Sequence, residues 1–261
     1  MPSVFGDPEA KPALREQTLN HPLVPTELTL ADGTHAVAFP LTSQDYIPLS
    51  LLTHLTDEFN EEIERGQTYP LESPLTPEGF KTYWMGDFTA IVLKGTLAEF
   101  EKTAASQHAV PGSSASVTPS DPSHLYENYH EEENAKSTHA KATALIPRDA
   151  DWGTIFLGTF HVLPNYPGRS SHVCNCGFLV SSLARGSPLK VGSAMGKLYL
   201  EWAPKLGYTY SVYNLVYETN EYSVRIWENL GFERIGRVPG AGILKGYDKP
   251  VDAIIFGKQL V

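Results

Sequence analysis

The stretch GFLV (177–180), ARGSPLKVG (184–192) and the helical run to Trp202, followed by YSVYNLVYETN (210–220) and SVRIWENLGF (223–232), decides the fold. GFLV is short, apolar and β-rich, so it reads as a strand. A basic, glycine-bearing loop follows. Val191, Met195, Leu198 and Trp202 then fall on one helical face, and Pro204 and Gly207 mark the end of that helix. Tyr208–Tyr217 is a long β-rich strand, and Glu221–Leu230 is a helix closed by Gly231. The order is strand, loop, helix, strand, helix.

Such a loop suits a pyrophosphate. A helix N-terminus presents unpaired N–H groups and the positive end of a dipole. Gly186 and Gly192 allow close backbone approach, and Arg185 and Lys190 carry charge for phosphate oxygens. Read alone, the same residues describe an ordinary strand-to-helix turn with two glycines sooner than a phosphate site. They are not a Walker A loop, because GSPLKVGS lacks the GxxxxGKS spacing, and no GxGxxG follows the strand.

Outward from this unit, Pro48 opens a helix with Leu52, Leu55, Phe59 and Ile63 at helical spacing, and Gly66 stops it. Thr76–Trp84 reads as a short helix. His35–Pro40, Phe88–Leu93, Ile155–Leu163, Cys176–Val180, 232–238 and 251–256 read as strands. Residues 1–25 read as a flexible tail, and about 103–148, rich in Ser, Pro, Ala, His and charge, as a disordered insertion within a single domain spanning 26–261.

The 261 residues carry a net charge of −10, which argues against a nucleic-acid partner. The N-terminus lacks a signal-peptide core and a clear mitochondrial presequence, and no run approaches a membrane span. A cytoplasmic location is therefore expected, with the mitochondrion as the weaker alternative. The two cysteines, Cys174 and Cys176, are too few for a zinc site and poorly placed for a bridge. Together with the scattered histidines of the insertion, they imply no metal.

Arg185-Gly186-x-x-x-x-Val191-Gly192 before a helix resembles the acetyl-CoA motif of the GNAT acetyltransferases. Asn220-x-x-Ser223-x-x-x-Trp227-x-x-Leu230-Gly231-Phe232 resembles the segment that follows it there. A narrower resemblance, to fungal L-azetidine-2-carboxylate N-acetyltransferases, rests on several further stretches. They are TYP (68–70), LGTF (157–160), LPNY (163–166), CNCGFLV (174–180), YLEWAPKLGY (199–208), NLVYETN (214–220), RIGRVPGAGIL (234–244) and PVDAIIFGK (250–258). It covers roughly residues 35–100 and 150–260.

The resemblance implies an α/β (α+β) fold with a central mixed, largely antiparallel twisted sheet, splayed between its two central strands and flanked by helices. It implies acetyl-CoA as co-substrate, held by Phe178, Leu179, Val180, Arg185, Gly186, Lys190, Val191, Gly192, Ser193, Asn220 and Ser223. Asn220 reads equally as a helix cap. Asn175 and Asn214 would hold the carboxylate of a proline-like imino acid, with Leu215 and Tyr69 beside it. From the residues alone, either amide is as readily structural. His172, near Asn175, is a candidate base, Asp252 a second and a water chain a third.

Tyr69, Tyr83, Phe160 and Trp227 read as pocket wall or simply as core. Two departures stand out. The loop is two residues longer than the family's, and Trp227 occupies a position where many superfamily members place a tyrosine acid. The partner is expected to be a small amine, with a homodimer as candidate assembly. A protein or peptide acetyltransferase and a non-catalytic CoA-binding module are the competing readings.

Overall fold

A computed structural model describes residues 23–108 and 140–261. The elements run β1 (Thr26–Thr29), β2 (His35–Thr42), α1 (Leu49–Arg65), α2 (Pro77–Trp84), β3 (Phe88–Lys94), α3 (Leu97–His108), α4 (Ala140–Thr143), α5 (Trp152–Ile155) and β4 (Phe156–Pro164). They continue with β5 (Val173–Val180), α6 (Val191–Lys205), β6 (Tyr210–Tyr217), α7 (Glu221–Asn229), β7 (Glu233–Gly242) and β8 (Val251–Gln259).

The strands form one eight-stranded sheet in the order β1-β2-β3-β4-β5-β6-β8-β7. Every neighbouring pair is antiparallel except β5–β6. That parallel pair is joined through α6, as a parallel connection requires a crossover. Its two strands pair only at Val173–Tyr210 and Cys174–Ser211, and beyond that point they diverge. The expected splay between the central strands is this gap.

Each sheet face carries its own core. On one face α6 and α7 pack Met195, Leu198, Tyr199, Trp202 and Trp227 against Phe160, Phe178 and Tyr213. On the other, α1 and α2 pack Leu55, Phe59, Phe80 and Trp84 against Phe39, Ile91 and Leu179. Period-2 alternation divides β4 and β5 between these layers.

Helix ends follow local chemistry. Gly66 adopts φ 61° and its N–H bonds the carbonyl of Glu62, closing α1 as the glycine stop predicts. The Thr76 side chain accepts from the N–H of Gly79, and Pro77 occupies the first turn of α2. Pro204 lies within the last turn of α6, which runs to Lys205.

Order extends further toward the expected insertion than composition implies. Helix α3 reaches His108 with Phe100 and Ala104 buried, and Ala142 and Ile146 are core residues on the far side. Strand β1 and buried Leu23 likewise lie inside or beside the expected tail. Residues 1–22 and 109–139 fall outside the described residues. Cys174 and Cys176 are free and buried.

Candidate active site

Phe178 and Val180 lie on the open edge of the splay, beyond the last β5–β6 pair. The Tyr69 hydroxyl donates to the carbonyl of Phe178 at 2.7 Å, and Arg185 Nη2 donates to the carbonyl of Val180 at 3.1 Å. In an antiparallel ladder a residue's N–H and C=O point to the same side. The N–H groups of Phe178 and Val180 therefore face the gap rather than β4. Leu179, between them, is turned into the α1 core.

The gap leads to the loop 181–190 and the start of α6. Lys190 is the helix cap and has φ 52°, the one left-handed non-glycine residue among those described. Its carbonyl accepts from the N–H groups of Ser193 and Ala194 at 3.0 and 3.2 Å. The first helical N–H groups, Val191 and Gly192, precede these bonds and have no helical acceptor. Left-handed Gly186 has open space where a Cβ would stand. Unpaired N–H groups, an adjoining helix dipole and an open strand edge fit an extended ligand ending in a diphosphate.

Two buried carboxylates of α1 brace this loop. Glu58 accepts from the N–H and Oγ of Ser182 at 2.8 and 2.7 Å. Glu62 pairs with Arg185 Nη1 at 2.8 Å and accepts from Arg65 Nη1 at 3.1 Å and Thr68 Oγ1 at 2.9 Å. The Arg185 guanidinium is thus turned inward on Glu62 and the Val180 carbonyl. Neither acid was legible as a site residue, because on α1 both read as ordinary surface charge.

Asn175 and Asn214 are brought together across the β5–β6 gap by a third amide, Asn165. Asn165 Nδ2 donates to Asn214 Oδ1 at 3.1 Å, while its Oδ1 accepts from Asn175 Nδ2 at 3.1 Å and Asn214 Nδ2 at 2.5 Å. Asn214 and Leu215 sit in a bulge: β6 advances from Tyr213 to Val216 while β8 advances only from Phe256 to Ile254. A bulge re-aims side chains, which is how an asparagine serves in a central strand. Asn165 follows β4 within LPNY, and its backbone N–H bonds Val173. Sequence spacing gave no signal that it joins the other two.

The remaining candidates separate. Leu215 packs with Tyr217, Leu244 and Val251. Asn220 caps α7, accepting from the N–H of Ser223 at 3.2 Å, so both residues meet in the cap. His172 is exposed at the closed end of the strand pair, its carbonyl accepting from the N–H of Thr209. Asp252 is engaged by Arg237 and by the N–H of Gly240. Tyr69, Phe160 and Trp227 are packed: Tyr69 against Phe59, Phe160 and Trp227 each against Phe178. Among the described residues no cluster of His, Cys, Asp and Glu is arranged for a metal ion, and no helix is long and apolar enough to cross a membrane.

No protein-family model matches the sequence. The chain is 35% identical over 251 residues to protein SPT10 of Saccharomyces cerevisiae, covering 95% of this chain and 37% of SPT10. It therefore spans little more than a third of that relative. It is 37% identical over 206 residues to N-acetyltransferase aca1 of Schizosaccharomyces pombe, covering 79% of this chain and 78% of aca1. A GCN5-related N-acetyltransferase from Kribbella flavida superposes with a TM-score of 0.55 at 21% identity, covering 85% and 97% of the two chains. A GNAT phosphinothricin acetyltransferase from Sinorhizobium meliloti, in complex with acetyl-CoA, does so with a TM-score of 0.51 at 12% identity, covering 85% and 88%. The open strand pair and the amide-lined helix start are those of the GNAT fold, and the identity shared over most of both chains shows the family: the chain belongs to the N-acetyltransferase family of aca1.

Proposed function

We propose that this protein transfers an acetyl group from acetyl-CoA to the nitrogen of a small amine, specifically a proline-like imino acid such as L-azetidine-2-carboxylate. The observation that carries the reading is the amide cluster Asn175–Asn165–Asn214 across the open strand pair. Each carboxamide nitrogen has two protons, and the cluster uses one per nitrogen, so donors remain for a carboxylate. The name of aca1 and the acetyl-CoA in the S. meliloti structure support the activity class.

Bound acetyl-CoA supplies a thioester, whose carbonyl carbon bonds to the amine nitrogen as the C–S bond breaks to free thiol. The Phe178 N–H faces the gap and donates to the oxyanion that develops, an effect worth about 3 kcal/mol. Val191 and Gly192 offer N–H groups to the diphosphate. The amine must shed a proton. Asp252 is occupied and His172 stands at the closed end of the strand pair, so solvent takes it and a proton returns to the departing thiolate.

The test is Asn165→Ala, Asn175→Ala and Asn214→Ala, each assayed for imino-acid turnover, acetyl-CoA affinity and melting temperature. Losing a hydrogen bond to a charged group costs about 1.5–3 kcal/mol, or roughly ten- to hundredfold in kcat/KM. Acetyl-CoA affinity should hold. Unchanged turnover per folded molecule in all three places the acceptor elsewhere.

A further inference from the structure

The connection between β7 and β8, residues 243–250, crosses the open mouth of the strand pair to the C-terminal end of α1. Strands β7 and β8 belong to the β6 side of the splay. Helix α1 and Tyr69, which follows it, belong to the β5 side, where they pack near Leu179 and bond the Phe178 carbonyl. Lys245 joins the two sides. Its N–H donates to the carbonyl of Gly66 at 3.0 Å, and its own carbonyl accepts from Gln67 Nε2 at 3.3 Å. Its ammonium donates to the carbonyl of Glu64 at 2.7 Å and to Glu64 Oε1 at 2.9 Å. Glu64 lies in the last turn of α1, where a cation also meets the negative end of the helix dipole.

The fit is close. A Cβ at Gly66 would stand 2.7 Å from Lys245 Cγ, so the glycine that stops α1 also leaves room for the lysine stem. Leu244, the preceding residue, is 6% exposed and packs with Leu215 and Tyr217, which follow Asn214 on β6. The covered face is the one that carries the amide cluster. Asn175 and Leu179 point to the same side of β5 by period 2, and Leu179 lies in the α1 core.

The connection has the parts of a strap that swings. Gly240 at φ 60° and Gly246 at φ 84° are left-handed, and β7 slips register against β8 between Val238 and Gly242. The side-chain tie between these points is a surface tie: Lys245 is 59% exposed and Glu64 is 86% exposed. An exposed ion pair contributes little, so the latch releases readily.

We propose that residues 243–250 are a strap over the acceptor side of the gap, and that its latch, Lys245 on the end of α1, sets the largest acceptor the gap encloses. Lys245 is spent on α1, so it selects acceptors without holding them: it is a specificity-determining residue. The proposal rests on the acetyl-transfer reading, which supplies the acceptor. A small imino acid ends beneath the latched strap. One with a bulky ring substituent projects through the mouth and holds the strap off α1.

The experiment compares two acids that share the ring nitrogen and the carboxylate, L-azetidine-2-carboxylate and 4-benzyloxy-L-proline. Both are assayed with the full chain and with Lys245→Glu, which sets a carboxylate against Glu64. In the unsubstituted protein kcat/KM should favour the smaller acid at least about tenfold. In Lys245→Glu that preference should shrink at least about fivefold, through a lower KM for the bulky acid, while kcat for the smaller acid and the melting transition hold. Hydrogen exchange at the residue 245 amide should quicken at least about tenfold. Should Lys245→Glu fail to fold, Glu64→Ala, which alters an exposed side chain only, should move the preference the same way.

Equal kcat/KM for the two acids in the unsubstituted protein overturns the proposal. So does an unchanged preference, or unchanged exchange, in folded Lys245→Glu. If the unsubstituted protein acetylates neither acid, the acceptor reading has failed, and the strap is judged by hydrolysis of bound acetyl-CoA in acceptor-free buffer. A rate that rises in Lys245→Glu, as water enters the mouth, upholds the strap; a constant rate overturns it as well.

Discussion

Replacing Arg185 separates two ways in which a loop arginine can serve an anionic ligand. In the structure its guanidinium is about one-third exposed, paired with buried Glu62 at 2.8 Å and donating to the Val180 carbonyl at 3.1 Å. Discounted for solvent, the ion pair is worth about 1 kcal/mol and the hydrogen bond about another. Arg185→Gln should therefore cost about 2 kcal/mol of stability, roughly 4–8 °C in Tm for a chain of this size. Glu62→Gln should cost about as much, since it leaves Arg185 without its anion, although Thr68 and Arg65 still contact the amide.

In the double variant the two losses should not add, with a coupling of about 0.5–2 kcal/mol. The loop would loosen in either single variant, so acetyl-CoA affinity should fall a few-fold in both, and the fall should change little between low and high salt. A direct phosphate contact makes a different pattern: Arg185→Gln alone weakens acetyl-CoA binding, strongly at low salt, and Glu62→Gln leaves affinity intact or improves it. Melting curves and acetyl-CoA titrations at two salt concentrations on the four proteins distinguish them. The second pattern would refute the inward-turned arginine.

Two further outcomes follow from packing and burial. A Cβ at Gly158 would stand 2.8 Å from the carbonyl of Leu179 and 2.9 Å from Met195 Cε; the methionine can yield but the β5 backbone cannot. Gly158→Ala should therefore cost about 1–3 kcal/mol, read as a lowered denaturant midpoint, and a neutral result would mean that β4 and β5 part freely. His161 is held near 3 by burial, below its unfolded value of 6.5. The unfolded chain takes up this proton first as pH falls, so the residue erodes stability below about 6.5, by about 1.4 kcal/mol per unit, until its folded pKa is reached. His161→Gln should flatten the pH dependence of Tm between 7 and 5; parallel curves would place the imidazole in contact with water.

Local chemistry carried much of the reading from sequence. The Gly66 stop, the Thr76 cap with Pro77, the Asn220 cap and the glycine-bearing loop before Val191 each act within one turn of chain. Their residue types therefore predict them without a fold. Strand β1 and helix α3 escaped for the converse reason: one is four residues long, and the other adjoins a segment of polar composition. The splay was expected only through family resemblance. In the structure it depends on which residues of β5 and β6 stop pairing, and no periodicity encodes that.

Amino-acid sequence by itself determined the alternation of elements, the apolar faces of the helices and the glycine-bearing loop that precedes α6. Tertiary structure alone decided which polar side chains meet. Asn165 joins Asn175 and Asn214 because one strand register and one bulge converge. Glu58 and Glu62 become loop braces because α1 crosses the end of β5. These contacts depend on distances between remote residues, set by packing many side chains at once, whereas caps and turns depend on the next few residues.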